Sequence, residues 1–163
     1  MPKKVIVMTH TIGITGKGVV FHLAVSGCPR NCAEATCKDF GVVCVDSGYQ
    51  LMVGGAAGMD VRETELLCQV ATEQEALEYC AAFYQLYREG AQYLHRPYKW
   101  IAKVGLDWVK AQVVDDEENR KNLADRFFYS QKFHQKDPWA ERVEGAEAHE
   151  FTPMADLTKV AAE

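Results

Sequence analysis

Apolar residues in the first part of the chain come in short runs cut by glycine-containing turns, the pattern of strands. From residue 62 onward they recur at three and four residues, the period of helices. Lys4 to Met8 (KVIVM) predicts a first short strand and Thr11 to Gly18 (TIGITGKG) a turn. Val19 to Val25 (VVFHLAV) predicts a second strand, with His22 an ordinary strand histidine, packed or exposed. Gly41 to Val45 and Tyr49 to Val53 are two further strands joined by Asp46-Ser47-Gly48, a hairpin signal because glycine takes positive φ without strain. Cys44 alternates there with Val43 and Val45, which makes its thiol a core side chain. Gly54-Gly55-Ala56-Ala57-Gly58 follows, small enough either to let something approach the backbone closely or simply to turn.

In the second part, Thr72 and Glu75 make a capping box. Leu77, Cys80, Ala81, Tyr84 and Tyr87 then share one helix face until Gly90 ends it. Cys80 lies on that face and Cys68 on a preceding short helical stretch, so both are expected in the core. Pro97 opens another helix through Lys103, Gly105 breaks it, and Leu106 to Val114 continues with Leu106, Val109 and Val113 on one side. Asp115 to His134 is highly charged, with a narrow stripe of Leu123, Phe127 and Tyr129 or Ser130; it predicts a helix on the outside of the body, or one packed on a missing partner. The tail after Asp137-Pro138-Trp139 is acidic and weakly patterned, and is expected to be poorly ordered unless docked. Strands first and helices later, with no internal repeat, read as one α+β unit.

Length and charge narrow the function classes. A chain of 163 residues buries a core without disulfide staples. Its N-terminus lacks an apolar run of signal-peptide length, and no segment approaches the about 20 consecutive apolar residues of a membrane helix. The expectation is a cytoplasmic protein with no membrane association and reduced thiols. The formal net charge of −5 comes from 18 basic and 23 acidic residues mixed along the chain, which leaves no electrostatic footprint for nucleic acid. Gly13, Gly16, Lys17 and Gly18 echo a phosphate-binding loop, but the spacing is too short, and Gly18 stands where Ser or Thr would hold magnesium.

The remaining chemistry lies in SGCPRNCAEATCKDFG, Ser26 to Gly41, which carries Cys28, Cys32 and Cys37 of the six cysteines. CPRNC is not the C-x-x-C of thioredoxin-type or zinc-knuckle sites, and no second matching pair completes a four-ligand zinc site. If Ala33 to Lys38 is helical, five residues turn Cys37 about 140° away from Cys32, so it packs inward. Two thiols, a Gly and a Pro that fix the chain, and Arg30 beside them suit an iron–sulfur half-site, but on spacing alone structural cysteines are the leading reading.

SGCPRNCAEATCKDFGVV, followed by DSGYQLMVGGAAG and YREGAQYLHRPYKWIAKVGLDWVK, resembles the nitrite and sulfite reductase family, and within it the C-terminal siroheme domain of the large subunit of NAD(P)H-dependent nitrite reductase. The likeness covers about Phe21 to at least Gly145, most of the chain. It implies a mixed sheet with packed helices and a helical C-terminal part. It divides the chain into an atypical segment 1–20, an iron–sulfur/siroheme domain 21–114, and a charged helix and tail 115–163. It also implies a [4Fe-4S] cluster coupled to siroheme, nitrite as substrate, and six-electron reduction to ammonia, with NAD(P)H and FAD acting in a part of the parent enzyme absent from this chain. Cys28 and Cys32 map to two cluster ligands, Cys32 being also the axial thiolate of the siroheme iron. Arg30, Asn31, Gly54 and Gly55 map to places where contacts with cluster or siroheme are expected, and each is equally explained as loop or turn chemistry.

The family completes its cluster with an earlier C-x5-C pair and holds the siroheme carboxylates with upstream Arg and Lys residues, whereas no cysteine precedes Cys28 here. Two functions therefore stand: part of a nitrite reductase, catalytic once another chain or a missing N-terminal half supplies the other ligands, or a truncated non-catalytic folded module or interaction domain. No catalytic side chain is assigned to this chain by itself.

Overall fold

The computed structural model describes residues 8–14, as backbone, and 19–133. The chain divides into two compact units, Met1–Tyr129 and Ser130–Glu163, and of the second only residues 130–133 are described. Strands β1 (Met8–Ile14), β2 (Val20–Ser26), β3 (Phe40–Val45), β4 (Gly48–Val53) and β7 (Glu65–Val70) form one sheet in the order β1-β2-β3-β4-β7. Between β4 and β7, β5 (Ala56–Ala57) and β6 (Val61–Arg62) make a separate two-stranded ribbon. Helices α1 (Glu73–Gly90), α2 (Pro97–Val104), α3 (Leu106–Lys110) and α4 (Glu117–Gln131) follow, with a π-helical turn at Ala111–Asp115. The architecture is α+β.

One pairing decides where the cysteines go. β2 and β3 are parallel while every other neighbouring pair is antiparallel, so the sheet is mixed. A parallel pair needs a crossover connection. Residues 27–39 must therefore return from the end of β2 to the start of β3, laying the cysteine loop over one face of the sheet. On that face Ala33 and Ala35 pack with Ala24 and Val43, and a Cβ on Gly41 would stand 2.0 Å from the Ala35 carbonyl oxygen. The opposite face carries Phe21, Phe40, Val42, Leu51 and Val53 against Ala82, Phe83, Tyr84 and Tyr87 of α1 and Trp100 and Ile101 of α2. Its rings meet at offset angles, Phe21 with Tyr84 at 4.7 Å and Tyr87 with Trp100 at 5.7 Å between centroids.

The hairpin, the capping box and the break at Gly105 are as expected: Cys44 pairs with Tyr49, Thr72 and Glu75 bond reciprocally, and Gly105 sits at φ 88°. Three expectations differ. Thr11 to Ile14, expected in a turn, belong to the strand Met8–Ile14, because the β-branched Thr11, Ile12 and Ile14 pair with β2; the strand expected over residues 4–7 and the rest of the turn, residues 15–18, lie outside the described residues. Residues 65–70 are strand rather than helix, since the open edge of β4 takes their backbone groups into the sheet, and Cys68 is a strand residue facing the core. Leu77 is 49% exposed, at the rim of an apolar groove with Leu23, Val25, Val42 and Cys80, while Phe83 and Leu86 are buried in α1.

The charged last helix packs through Leu123, Ala124 and Arg120. The Arg120 guanidinium lies 4.3 Å over the Tyr79 ring, bonds Glu78 at 2.8 Å, and donates to the carbonyls of Val113 and Val114 in the π turn. The acidic tail after residue 137 lies outside the described residues. Among the described residues no helix is long and apolar enough to cross a membrane.

Candidate functional site

Three successive turns build the cysteine loop. The Asn31 amide donates to the Cys28 carbonyl at 3.2 Å, the Glu34 amide to Asn31 at 2.9 Å, and the Cys37 amide to Glu34 at 3.2 Å. Asn31 and Glu34 both take φ 55°, a left-handed conformation that Asn tolerates far better than most residues. The side chain of Asn31 is the knot of the loop. Its Oδ1 accepts from the Ser26 hydroxyl at 3.0 Å and the Ala35 amide at 2.7 Å, and its Nδ2 donates to Thr36 Oγ1 at 2.6 Å. Ser26, 2% exposed, also accepts from the Ala33 amide. Buried polar atoms are costly unless paired, so this web holds the turn in one shape before anything binds it.

On that frame Cys28 is half-buried and Cys32 exposed, with Arg30 exposed between them. Cys37 is half-buried and donates its thiol to the Glu34 carbonyl at 3.2 Å, within the loop's own bonding. The remaining three thiols pack elsewhere: Cys44, Cys68 and Cys80 lie against the helix-side core. Burial pushes the Cys68 thiol up to about 11, against the lowering effect of Arg120 and Lys110, and burial pushes Cys80 up to about 12. Those two are hard to ionise, and thiolate is the form that binds a metal.

Gly54 and Gly55 face the chain itself. The Gly54 amide bonds the Asp39 carbonyl and the Gly55 amide the Lys38 carbonyl, while a Cβ on Gly55 would lie 2.6–2.7 Å from the backbone of Cys37 and Lys38. The close approach that these small residues permit is thus to the end of the cysteine loop. Gly54, at φ 81°, also turns the chain beneath Tyr98 and Ile101 of α2.

A cluster that the sequence reading missed anchors the same corner. Asp39 is fully buried, and its Oδ2 accepts from the His22 backbone amide and from Arg96, each at 2.7 Å. Nδ1 of His22 lies 3.1 Å from the Arg96 guanidinium and 3.4 Å from Asp39 Oδ2, which brings all three side chains together. Asp39 and Arg96 are 57 residues apart and belong to no periodic pattern, so only the fold unites them. The sole sequence signal was an Asp among apolar residues at the start of a strand.

As a donor set, the described residues offer the Cys28 and Cys32 thiols on one preshaped turn. Among them no group of three or more His, Cys, Asp or Glu is placed to hold a metal ion. A cubane cluster takes four cysteine ligands, so the loop fits one half of such a site.

Comparison with known proteins bears on what that half belongs to. Residues 20–122 match the family model described as the nitrite and sulphite reductase 4Fe-4S domain. A nitrite reductase [NAD(P)H] of Bacillus subtilis (strain 168) is 47% identical over 122 residues, covering 75% of this chain and 15% of that protein. The nitrite reductase (NADH) large subunit of Escherichia coli (strain K12) is 35% identical over 95 residues, covering 57% of this chain and 11% of that protein. An assimilatory-type sulfite reductase of Nitratidesulfovibrio vulgaris is 30% identical over 90 residues, covering 55% of this chain and 41% of that protein. The chain thus spans a small part of the length of the nitrite reductases it matches.

Proposed function

Given that the chain belongs to the nitrite and sulphite reductase 4Fe-4S domain family, we propose that it supplies half of the [4Fe-4S]–siroheme site of a nitrite reductase. In this reading Cys28 and Cys32 would be two of the cluster ligands, and Cys32, the more exposed, would also hold the siroheme iron through its thiolate. When bound, cluster and siroheme supply the redox chemistry for six-electron reduction of nitrite to ammonia. The chain's own residues present the thiols. Asn31 and Ser26 lock the turn from inside, and Gly54 and Gly55 clamp its far end, while Arg30 is an exposed residue between the two cysteines in the sequence.

The observation that carries the proposal is the segregation of the cysteines: one pair stands on a preshaped surface loop, and Cys44, Cys68 and Cys80 are in the packing. The working domain is residues 21–114, flanked by 1–20 and 115–163. Its place is the cytoplasm, with the other two ligands, the flavin and the NAD(P)H site supplied by another polypeptide or part of the parent enzyme. The incomplete donor set favours a second reading, a folded non-catalytic module.

An anaerobic absorption spectrum with iron and labile-sulfide analysis, on the chain produced together with siroheme synthesis and a polypeptide carrying the other ligands, separates the two. Siroheme bands with about four cluster irons and one haem iron per site are expected. A folded, colourless, iron-free complex would refute the reductase reading.

A further inference from the structure

We propose that the segment immediately before β1, Lys4 to Val7, lies across the apolar groove between the sheet and α1 and closes it. The floor of the groove is Leu23 and Val25 of β2 with Val42 of β3, and its wall is Ala76, Leu77 and Cys80 on one face of α1. The space is about 220 Å³ and is lined almost wholly by apolar atoms. Well-packed interiors leave few voids larger than a water molecule, yet here Leu23 and Val25 stay half-buried and Leu77 is 49% exposed. An apolar segment laid over them removes that surface from water.

The occupant follows from where the described chain begins. Met8, the first residue of β1, pairs with Val25, and Val25 pairs with Val42, so β1 starts level with the groove floor. Residues 1–7 belong to the same compact unit and carry Val5-Ile6-Val7, preceded by the basic pair Lys3-Lys4. Crossing from β1 to β4 takes three strand spacings, about 14 Å. The four residues from Met8 back to Lys4 span about 13 Å when extended, and the lysine side chain supplies the remainder. Val5 to Val7 therefore come over the apolar floor, and Lys4 arrives at the far end, where Glu73 of α1 and Tyr49 of β4 complete the lining. The Tyr49 hydroxyl donates to Glu73 at 3.1 Å, and a carboxylate has acceptor capacity for an ammonium as well. An apolar triplet thus meets an apolar floor, and a cation meets the carboxylate at its rim.

The test uses the full chain as a monomer. Carbodiimide coupling, read by peptide mass spectrometry, is expected to join Lys4 to Glu73 within one molecule, with the exposed Lys121–Glu117 pair as its internal control. Val5→Ser/Ile6→Ser/Val7→Ser is expected to speed N-ethylmaleimide labelling of Cys80, which lines the groove, by about tenfold or more, and to leave Cys68, which does not, within about twofold. Unchanged labelling of Cys80, equal acceleration at Cys68, or a Lys4–Glu73 product that forms only between two chains, a second copy filling the groove, overturns the proposal. If the triple variant does not fold, the wild-type coupling decides: a Lys121–Glu117 product without a Lys4–Glu73 product overturns it.

Discussion

At the scale of the residue, the six cysteines are chemically alike and differ in what surrounds them. Cys32 is exposed on a turn whose shape is set by Asn31, while Cys44 stands on β3 against the core beneath α1. Substituting each should therefore give different losses. In the assembled complex, Cys32→Ser is expected to abolish siroheme coupling, seen as loss of the siroheme bands, with little change in thermal stability. Cys44→Ala is expected to cost about 1–2 kcal/mol in a denaturant titration and to leave cofactor content intact. Equal loss of cofactor from both would contradict the core assignment of Cys44. The C-x3-C spacing was legible in the sequence because it is local. The roles of Ser26, Asn31 and Thr36 were not, since a turn's side-chain bonding depends on the positive φ that Asn31 adopts here.

At the scale of the element, the crossover loop and the glycine turn hold each other. The loop's exit, Cys37 to Asp39, lies in backbone contact with Gly54 and Gly55, and both glycine amides donate to it. Gly55→Ala forces a Cβ to within 2.7 Å of peptide atoms that cannot rotate away, and is expected to destabilise by about 1–3 kcal/mol. Gly58→Ala meets nothing within 4 Å and serves as the control, with a change within about 0.5 kcal/mol. Equal melting temperatures for the two variants would show that the clamp carries no strain. The sequence announced small residues at 54–58 but left open what approached them. It misread residues 65–70 as helix because periodicity over six residues is ambiguous, and the open edge of β4 resolved the ambiguity.

At the scale of the whole molecule, stability depends on keeping acidic groups neutral in the packing between sheet and helices. Burial raises the thiols of Cys68 and Cys80 from an ordinary 9.0 to about 11 and about 12, and raises the Tyr84 hydroxyl as well. The folded state thus holds protons that the unfolded chain releases. The resulting stabilisation is complete below pH 9 and is lost as pH climbs from 9 through the folded values near 11 and 12. Denaturation midpoints at pH 8, 10 and 11 are expected to fall steadily, and Cys80→Ala to fall less steeply; a midpoint flat to pH 11 would contradict the packing of these thiols. By itself, the sequence determined what local rules govern: the hairpin, the capped helix α1, the breaks at Gly90 and Gly105, the C-x3-C pair and the α+β class. Tertiary structure alone decided the parallel pairing that lays the loop over the sheet, the Asp39–Arg96–His22 anchor, the strand at 65–70 and the glycine clamp. Each of these joins groups distant in sequence, and the need to satisfy backbone hydrogen bonds and buried charge across the whole fold selects them where no local pattern can.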